Sequence, residues 1–152
     1  MDKVEIQIAK ESDFLGIIQV IHSHNKSSNI YFHPIPPSDP VEIAANNYSI
    51  TFIAKQSNDT IAYLRLHSET PLMSENSEAE IEIVVAPEHQ KSGIGGKLLR
   101  YAIQHAWDNT RLKCLKAKIK NGNIHSEGLF QKIGFRRYCQ DPIGSKWCLC
   151  RL

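Results

Sequence analysis

The chain has 152 residues, 41% of them hydrophobic and 22% charged, with a formal net charge of +2. That length suits a single domain, 1–152, able to bury a working core. So mild a charge gives no bulk electrostatic case for nucleic acid. No stretch approaches the roughly 18 apolar residues that cross a bilayer, so no membrane span is expected. The N-terminus MDKVEIQIAK lacks the apolar core of a secretory leader, and the expected location is cytoplasmic.

In chain order, Val4, Ile6 and Ile8 alternate with polar residues and predict a half-buried strand. Ser12 is the expected N-cap of a helix whose apolar face carries Phe14, Ile17, Ile18 and Ile21. Residues 23–40 turn polar and proline-rich, with Pro34, Pro36, Pro37 and Pro40, and read as a long loop leading to a short helix at Val41 to Ala45. Ile50 to Lys55 and Thr60 to His67 read as strands around the turn Ser57-Asn58-Asp59. A polar loop, 68–78, precedes the strand Glu80 to Val85.

A glycine-rich segment then leads into a helix with Ile94, Leu98, Leu99, Ala102, Ile103, Ala106 and Trp107 on one stripe. Cys114, Leu115, Ala117 and Ile119 suggest a further strand, and Asn121-Gly122-Asn123 a turn. Ser126 to Ile133 suits a helix stopped at Gly134. Phe135 to Cys139 and Lys146 to Arg151 read as a closing strand pair around Asp141 to Gly144. The four cysteines, Cys114, Cys139, Cys148 and Cys150, form no CxxC pair, so reduced thiols and no metal site are expected.

The segment Val85 to Leu99 carries the most chemistry. It passes from strand through a glycine turn into a helix start, whose first N–H groups lack intrahelical partners and sit at the positive end of the helix dipole. Glycines let a phosphate approach such amides closely, and Lys91 and Lys97 add charge beside them. A P-loop is excluded because Leu98 follows Lys97 where Ser or Thr is needed. A dinucleotide fingerprint from Gly93 fails on the same Leu98.

Gln90-Lys91-Ser92-Gly93-Ile94-Gly95 resembles the Gln/Arg-x-x-Gly-x-Gly/Ala signature of the GNAT superfamily of acetyl-CoA-dependent N-acetyltransferases. Asn123 to Phe135 is similar to that family's Asn-x-x-Ala-x-x-Leu-Tyr-x-x-x-Gly-Phe segment, with Phe130 standing where the Tyr is usual. The order of elements also follows the family. The resemblance implies an α/β (α+β) fold with a mixed, mostly antiparallel central sheet of six to seven strands. It also implies helices on both faces and a sheet splayed at its central strands.

The resemblance also implies roles. Acetyl-CoA would be the co-substrate, its pyrophosphate held by Gln90, Lys91, Ser92, Gly93, Ile94, Gly95, Gly96 and Lys97. The backbones of Ile83 and Val85 would bind the pantetheine arm, with Val85 or Val84 as oxyanion donor and Asn123 positioning the arm. Lys132 and Arg100 are candidates for the 3′-phosphate. Glu82 is the candidate base for a primary amine acceptor, Glu80 its runner-up, and His67 and His125 weaker ones. Tyr31, Phe32 and His33 in loop 25–40, with the turn 141–145, are the expected substrate contacts.

Phe130 has no proton for the leaving thiolate, so departure would be unaided or helped by water or another Tyr, such as Tyr138. The competing reading is an acyl-CoA-binding sensor or partner module with weak catalysis. A homodimer through the closing strands would follow the family's common habit.

Overall fold

A computed structural model describes residues 3–27, 37 and 39–151 of the chain. The strands are β1 (Val4–Ile8), β2 (Ser49–Gln56), β3 (Asp59–His67), β4 (Ser77–Val85), β5 (Leu112–Lys120), β6 (Arg136–Gln140) and β7 (Gly144–Cys150). The helices are α1 (Phe14–Ser27), α2 (Ile94–Asn109) and α3 (Ile124–Ile133). One seven-stranded sheet runs in the order β1-β2-β3-β4-β5-β7-β6. Its β4–β5 pair is parallel and every other neighbouring pair is antiparallel.

Neighbouring residues of a strand point to opposite faces, so each face needs its own cover. Phe52, Leu64 and Leu66 pack with Leu98, Leu99 and Ala102 of α2, and Phe130 of α3 joins the same cluster. Ile53, Tyr63 and Val84 pack on the opposite face with Ile17, Val20 and Ile21 of α1. The sheet is thus mixed, mostly antiparallel and covered on both sides, as the resemblance implies.

Several boundaries differ from the sequence reading. Lys10, not Ser12, caps the 3-10 turn Glu11–Asp13 that leads into α1. The Lys10 N–H donates to Asp13 Oδ2 at 2.8 Å, and buried Asp13 also pairs with Lys55 Nζ at 2.9 Å. α1 runs on through polar residues to Ser27, because a surface helix needs only one apolar stripe. The expected helix at Val41 to Ala45 is a single 3-10 turn, Pro40–Glu42, capped by Asp39, whose carboxylate accepts from the Val41 N–H at 2.9 Å. β4 begins at Ser77, inside the expected loop, since pairing with β5 satisfies the backbone of Ser77 and Glu78.

The feature that positions the site is where that pairing stops. β4 and β5 pair from Ser77↔Leu112 to Glu80↔Lys116, with a register shift between Ser77 and Glu78. β4 then continues to Val85 against β3 alone, and β5 to Lys120 against β7 alone. The sheet is split between its two central strands.

Candidate active site

The split opens a cleft of about 950 Å³. Ile81, Glu82, Ile83 and Val85 form one wall, and Ala117 to Lys120 the other. Gly93, Gly95 and Gly96 at the start of α2 and Asn123 at the start of α3 close one end.

Hydrogen-bond phase decides which backbone groups face the gap. The Ala86 N–H donates to Ile61 C=O at 2.8 Å, so Ala86 belongs to the β3 ladder. In an antiparallel pair, bonded and non-bonded positions alternate. With Tyr63↔Val84 and Arg65↔Glu82 in register, Val84 and Glu82 also bond β3, while Ile83 and Val85 turn their N–H and C=O toward the split. This phase leaves the Ile83 and Val85 backbones free of β3. It removes Val84 as an oxyanion donor: its N–H is directed to β3 and its side chain is buried under α1. The Val85 C=O accepts the Gln90 side-chain amide at 3.0 Å, which leaves the Val85 N–H as that residue's group for a ligand.

The turn into α2 carries two left-handed residues, Lys91 (φ 62°) and Gly93 (φ 89°). Ser92 Oγ donates to the His89 carbonyl and closes the turn. The Lys97 N–H reaches back to Gly93 C=O at 3.1 Å, so by helix geometry the amides of Ile94, Gly95 and Gly96 emerge unbonded from the helix end. A Cβ on Gly96 would lie 3.0 Å from Arg100 Nη1 and 3.3 Å from Leu129 Cδ1, which explains the glycine there. Lys91 and Gln90 line the cleft with the glycines. Ser92, Ile94 and Lys97 are outside its lining: Ser92 braces the turn, Ile94 is buried in the core, and Lys97 is exposed.

Asn123 is the N-cap of α3, and its Oδ1 accepts the Ser126 N–H at 3.1 Å. Lys132, Arg100 and His125 are exposed and line the cleft. Glu82 lies on the cleft wall with only 4% exposure. Its Oε1 accepts a 2.6 Å hydrogen bond from the hydroxyl of Tyr63. Burial first, and then the Glu82 carboxylate, hold the Tyr63 phenol far above its usual range, so it stays a donor. Glu80 is elsewhere: outside the cleft lining and 3.3 Å from Lys118 Nζ and 3.6 Å from His67 Nε2.

Residues 18–135 match the family model of the acetyltransferase (GNAT) family. The chain belongs to this family. The fold of the GNAT chain is shared by the acetyltransferase of GNAT family from Streptococcus pneumoniae, with TM-score 0.81 and 15% identity over 98% of this chain and 100% of that one. A putative acetyltransferase from Salmonella typhimurium, solved with its cofactor acetyl-CoA, aligns with TM-score 0.79 and 17% identity over 97% and 93%. Ribosomal-protein-alanine N-acetyltransferase from Brucella melitensis gives 0.79 and 18% over 97% and 99%. No curated protein matches the chain.

The family uses acetyl-CoA, and the residues present fit such a group: a narrow split with inward backbone groups, ending in free helix amides flanked by Lys91, Arg100 and Lys132. Phe130, in the place of the usual Tyr, is 3% exposed and meets Phe135 edge-on with ring centres 4.9 Å apart. Tyr138 is on β6, outside the cleft lining, with Lys116 Nζ 5.9 Å from its ring centre. Tyr31, Phe32 and His33 lie outside the described residues. Sequence reasoning missed Tyr63 and the β5 wall. Tyr63 was signalled by its hydroxyl within the apolar run Ile61 to Leu64.

Cys114, Cys148 and Cys150 gather outside the cleft lining. Cys114 Sγ and Cys150 Sγ lie 2.6 Å apart as free thiols across β5 and β7. Burial and the contact with Cys150 push the Cys114 thiol up to about 12, which keeps it protonated at neutral pH. Among the described residues, no group of three or more His, Cys, Asp and Glu side chains is placed to hold a metal ion.

Proposed function

We propose that this chain moves the acetyl group of acetyl-CoA to a primary amine by direct attack within a ternary complex. The acceptor is a small molecule, a peptide N-terminus or a lysine. The observation that carries the reading is Glu82: a buried carboxylate on the wall of the β4–β5 split, fixed by Tyr63. Acetyl-CoA, when bound, supplies a thioester carbonyl open to attack.

The protein's own residues divide the work. The amides of Ile94, Gly95 and Gly96 and the cations Lys91, Arg100 and Lys132 hold phosphate charge. The backbones of Ile83 and Val85 align the arm as an added strand would be aligned. Their inward N–H groups, above all that of Val85, are the donors for charge developing on the carbonyl oxygen. Glu82 takes the proton that an ammonium must lose before it can attack, directly or through water. Tyr63 keeps that carboxylate aimed and does not compete for the proton.

The same reading places the chain in the cytoplasm; no helix among the described residues is long and apolar enough to cross a membrane. It retains a homodimer through β6 and β7, where β6 is the sheet edge with all five residues exposed. Phe130 favours a second reading, an acyl-CoA sensor with weak catalysis, because it cannot donate a proton to the departing thiolate.

Glu82→Gln keeps the shape and the Tyr63 contact but removes the basic carboxylate. Turnover, read as thiol release from acetyl-CoA with the best amine of a screen, should fall about 100-fold, a common contribution of a general base. Calorimetric affinity for CoA should stay within about twofold of wild type, since the phosphate contacts are untouched. Equal turnover at pH 7 would make Glu82 an ordinary strand carboxylate.

A further inference from the structure

β3 presents Tyr63, Arg65 and His67 on one face, because alternate strand residues point the same way. This is the face covered by α1. Two of the three are matched within the sheet: His67 with Glu80, and Tyr63 with Glu82. Arg65 is not. It is half-buried, and its Nε is shielded from solvent without a hydrogen-bond partner among the described residues. The ion pairs among those residues involve Lys55, His67, Arg111, Lys116 and Lys118, and none includes Arg65.

Register sets what surrounds it. Arg65 stands directly opposite Glu82 on one side and Thr51 on the other. Thr51 is 1% exposed, and its Oγ1 also has no partner among the described residues. A hydroxyl, a cation and a carboxylate thus form one row across β2, β3 and β4. The Glu82 Oε1 is engaged by Tyr63.

A guanidinium keeps its charge at every accessible pH. Leaving its shielded donor unmatched costs stability, and a bound ligand is one group that can complete it. Residues 28–36 and 38 contain neither Asp nor Glu.

We infer that Arg65 binds a carboxylate of the acceptor, which makes the acceptor a free amino acid or a similar small amine with a carboxylate beside its amino group. The inference rests on the acetyltransferase reading above, with Glu82 receiving the amine. Facing residues in a bonded antiparallel pair have Cα atoms about 5.5 Å apart. Arg65 and Glu82 are therefore a positive and a negative residue side by side on one face of the sheet. An α-amino acid offers the complementary pair on a single carbon. A peptide N-terminus or a protein lysine lacks the adjacent carboxylate and would leave the Arg65 Nε without that partner.

The test compares amino acids with their carboxamides and with the corresponding decarboxylated amines, by thiol release from acetyl-CoA. The carboxylate-bearing member of the best set should be preferred by about 10- to 100-fold in kcat/KM, mostly through KM. Arg65→Gln should abolish that preference at unchanged CoA affinity, and Arg65→Lys should retain part of it. An amide as good as its acid with the wild-type protein overturns the inference without any variant. Equal loss on acid and amide in Arg65→Gln also overturns it, by making Arg65 structural. If no amine releases thiol, the transferase reading fails, and calorimetry of amino acids against the CoA-bound protein decides the inference alone. Binding that Arg65→Gln removes supports it; no binding refutes it.

Discussion

Two helices begin at the cleft, and they finish their N-termini in opposite ways. α3 closes its own: the Asn123 side chain accepts the Ser126 N–H. α2 starts from Gly93 in the left-handed conformation, with no side-chain cap. α2 is also the longer, 16 residues against 10. An uncapped N-terminus keeps its amides and dipole for an external anion, whereas a capped one has already satisfied part of its need. The contrast separates two motifs that a sequence pattern presents as equivalent ligand contacts. The α2 turn leaves its amides without a side-chain cap, and the α3 turn gives one to the Asn123 side chain.

The largest effect should come from Gly93→Val. No atom lies within 4 Å of a Cβ built there, so space is not the obstacle. The φ of 89° is, since a β-branched residue disfavours it and would re-aim the turn. CoA affinity should drop about 100-fold by calorimetry, an amount in line with losing two charge-assisted hydrogen bonds. An unchanged dissociation constant would mean the phosphates bind elsewhere.

A smaller effect is expected at the other helix. Asn123→Ala removes a cap and should cost about 1 kcal/mol of stability. For a domain of this size that lowers Tm by about 2–4 °C. CoA affinity should change less than about threefold. The opposite result, an unmoved Tm with affinity down tenfold or more, would make Asn123 a ligand residue and erase the contrast between the two termini.

The same contrast shows what a sequence makes legible. Strand alternation and the helical stripe of α2 are local patterns backed by burial, and both sheet faces follow from them. The glycine turn was readable because Gly93 is needed for its backbone, a property of one residue. The β4–β5 split was legible only through family resemblance, because it depends on where a non-local parallel pairing ends. The start of β4 at Ser77 was hidden for the same reason: Ser77 and Glu78 look like loop until β5 is beside them. Tyr63 and Arg65 matter through register with Glu82, and cross-strand register is not printed in any local pattern. Val84, next to two residues that face the split, is excluded by hydrogen-bond phase alone.

The smallest effect concerns Phe130, the departure from the family pattern on the very helix that caps itself. If loss of a proton donor limits the enzyme, Phe130→Tyr should accelerate it. The structure argues otherwise. The ring is 3% exposed and packed edge-on against Phe135, so a new hydroxyl must find a partner in a tight site. A thiolate leaves near its own pKa, about 8.5 for a free thiol, and needs little help. An ammonium at pH 7 must first lose a proton, the step proposed above for Glu82. We therefore expect kcat of Phe130→Tyr to stay within about threefold of wild type across the pH profile. A tenfold gain, about 1.4 kcal/mol off the barrier, would reverse the order of the steps. No turnover in either form, with CoA still bound at full affinity, would favour the sensor reading, and Glu82 would then be a buried carboxylate held by Tyr63 for structure alone.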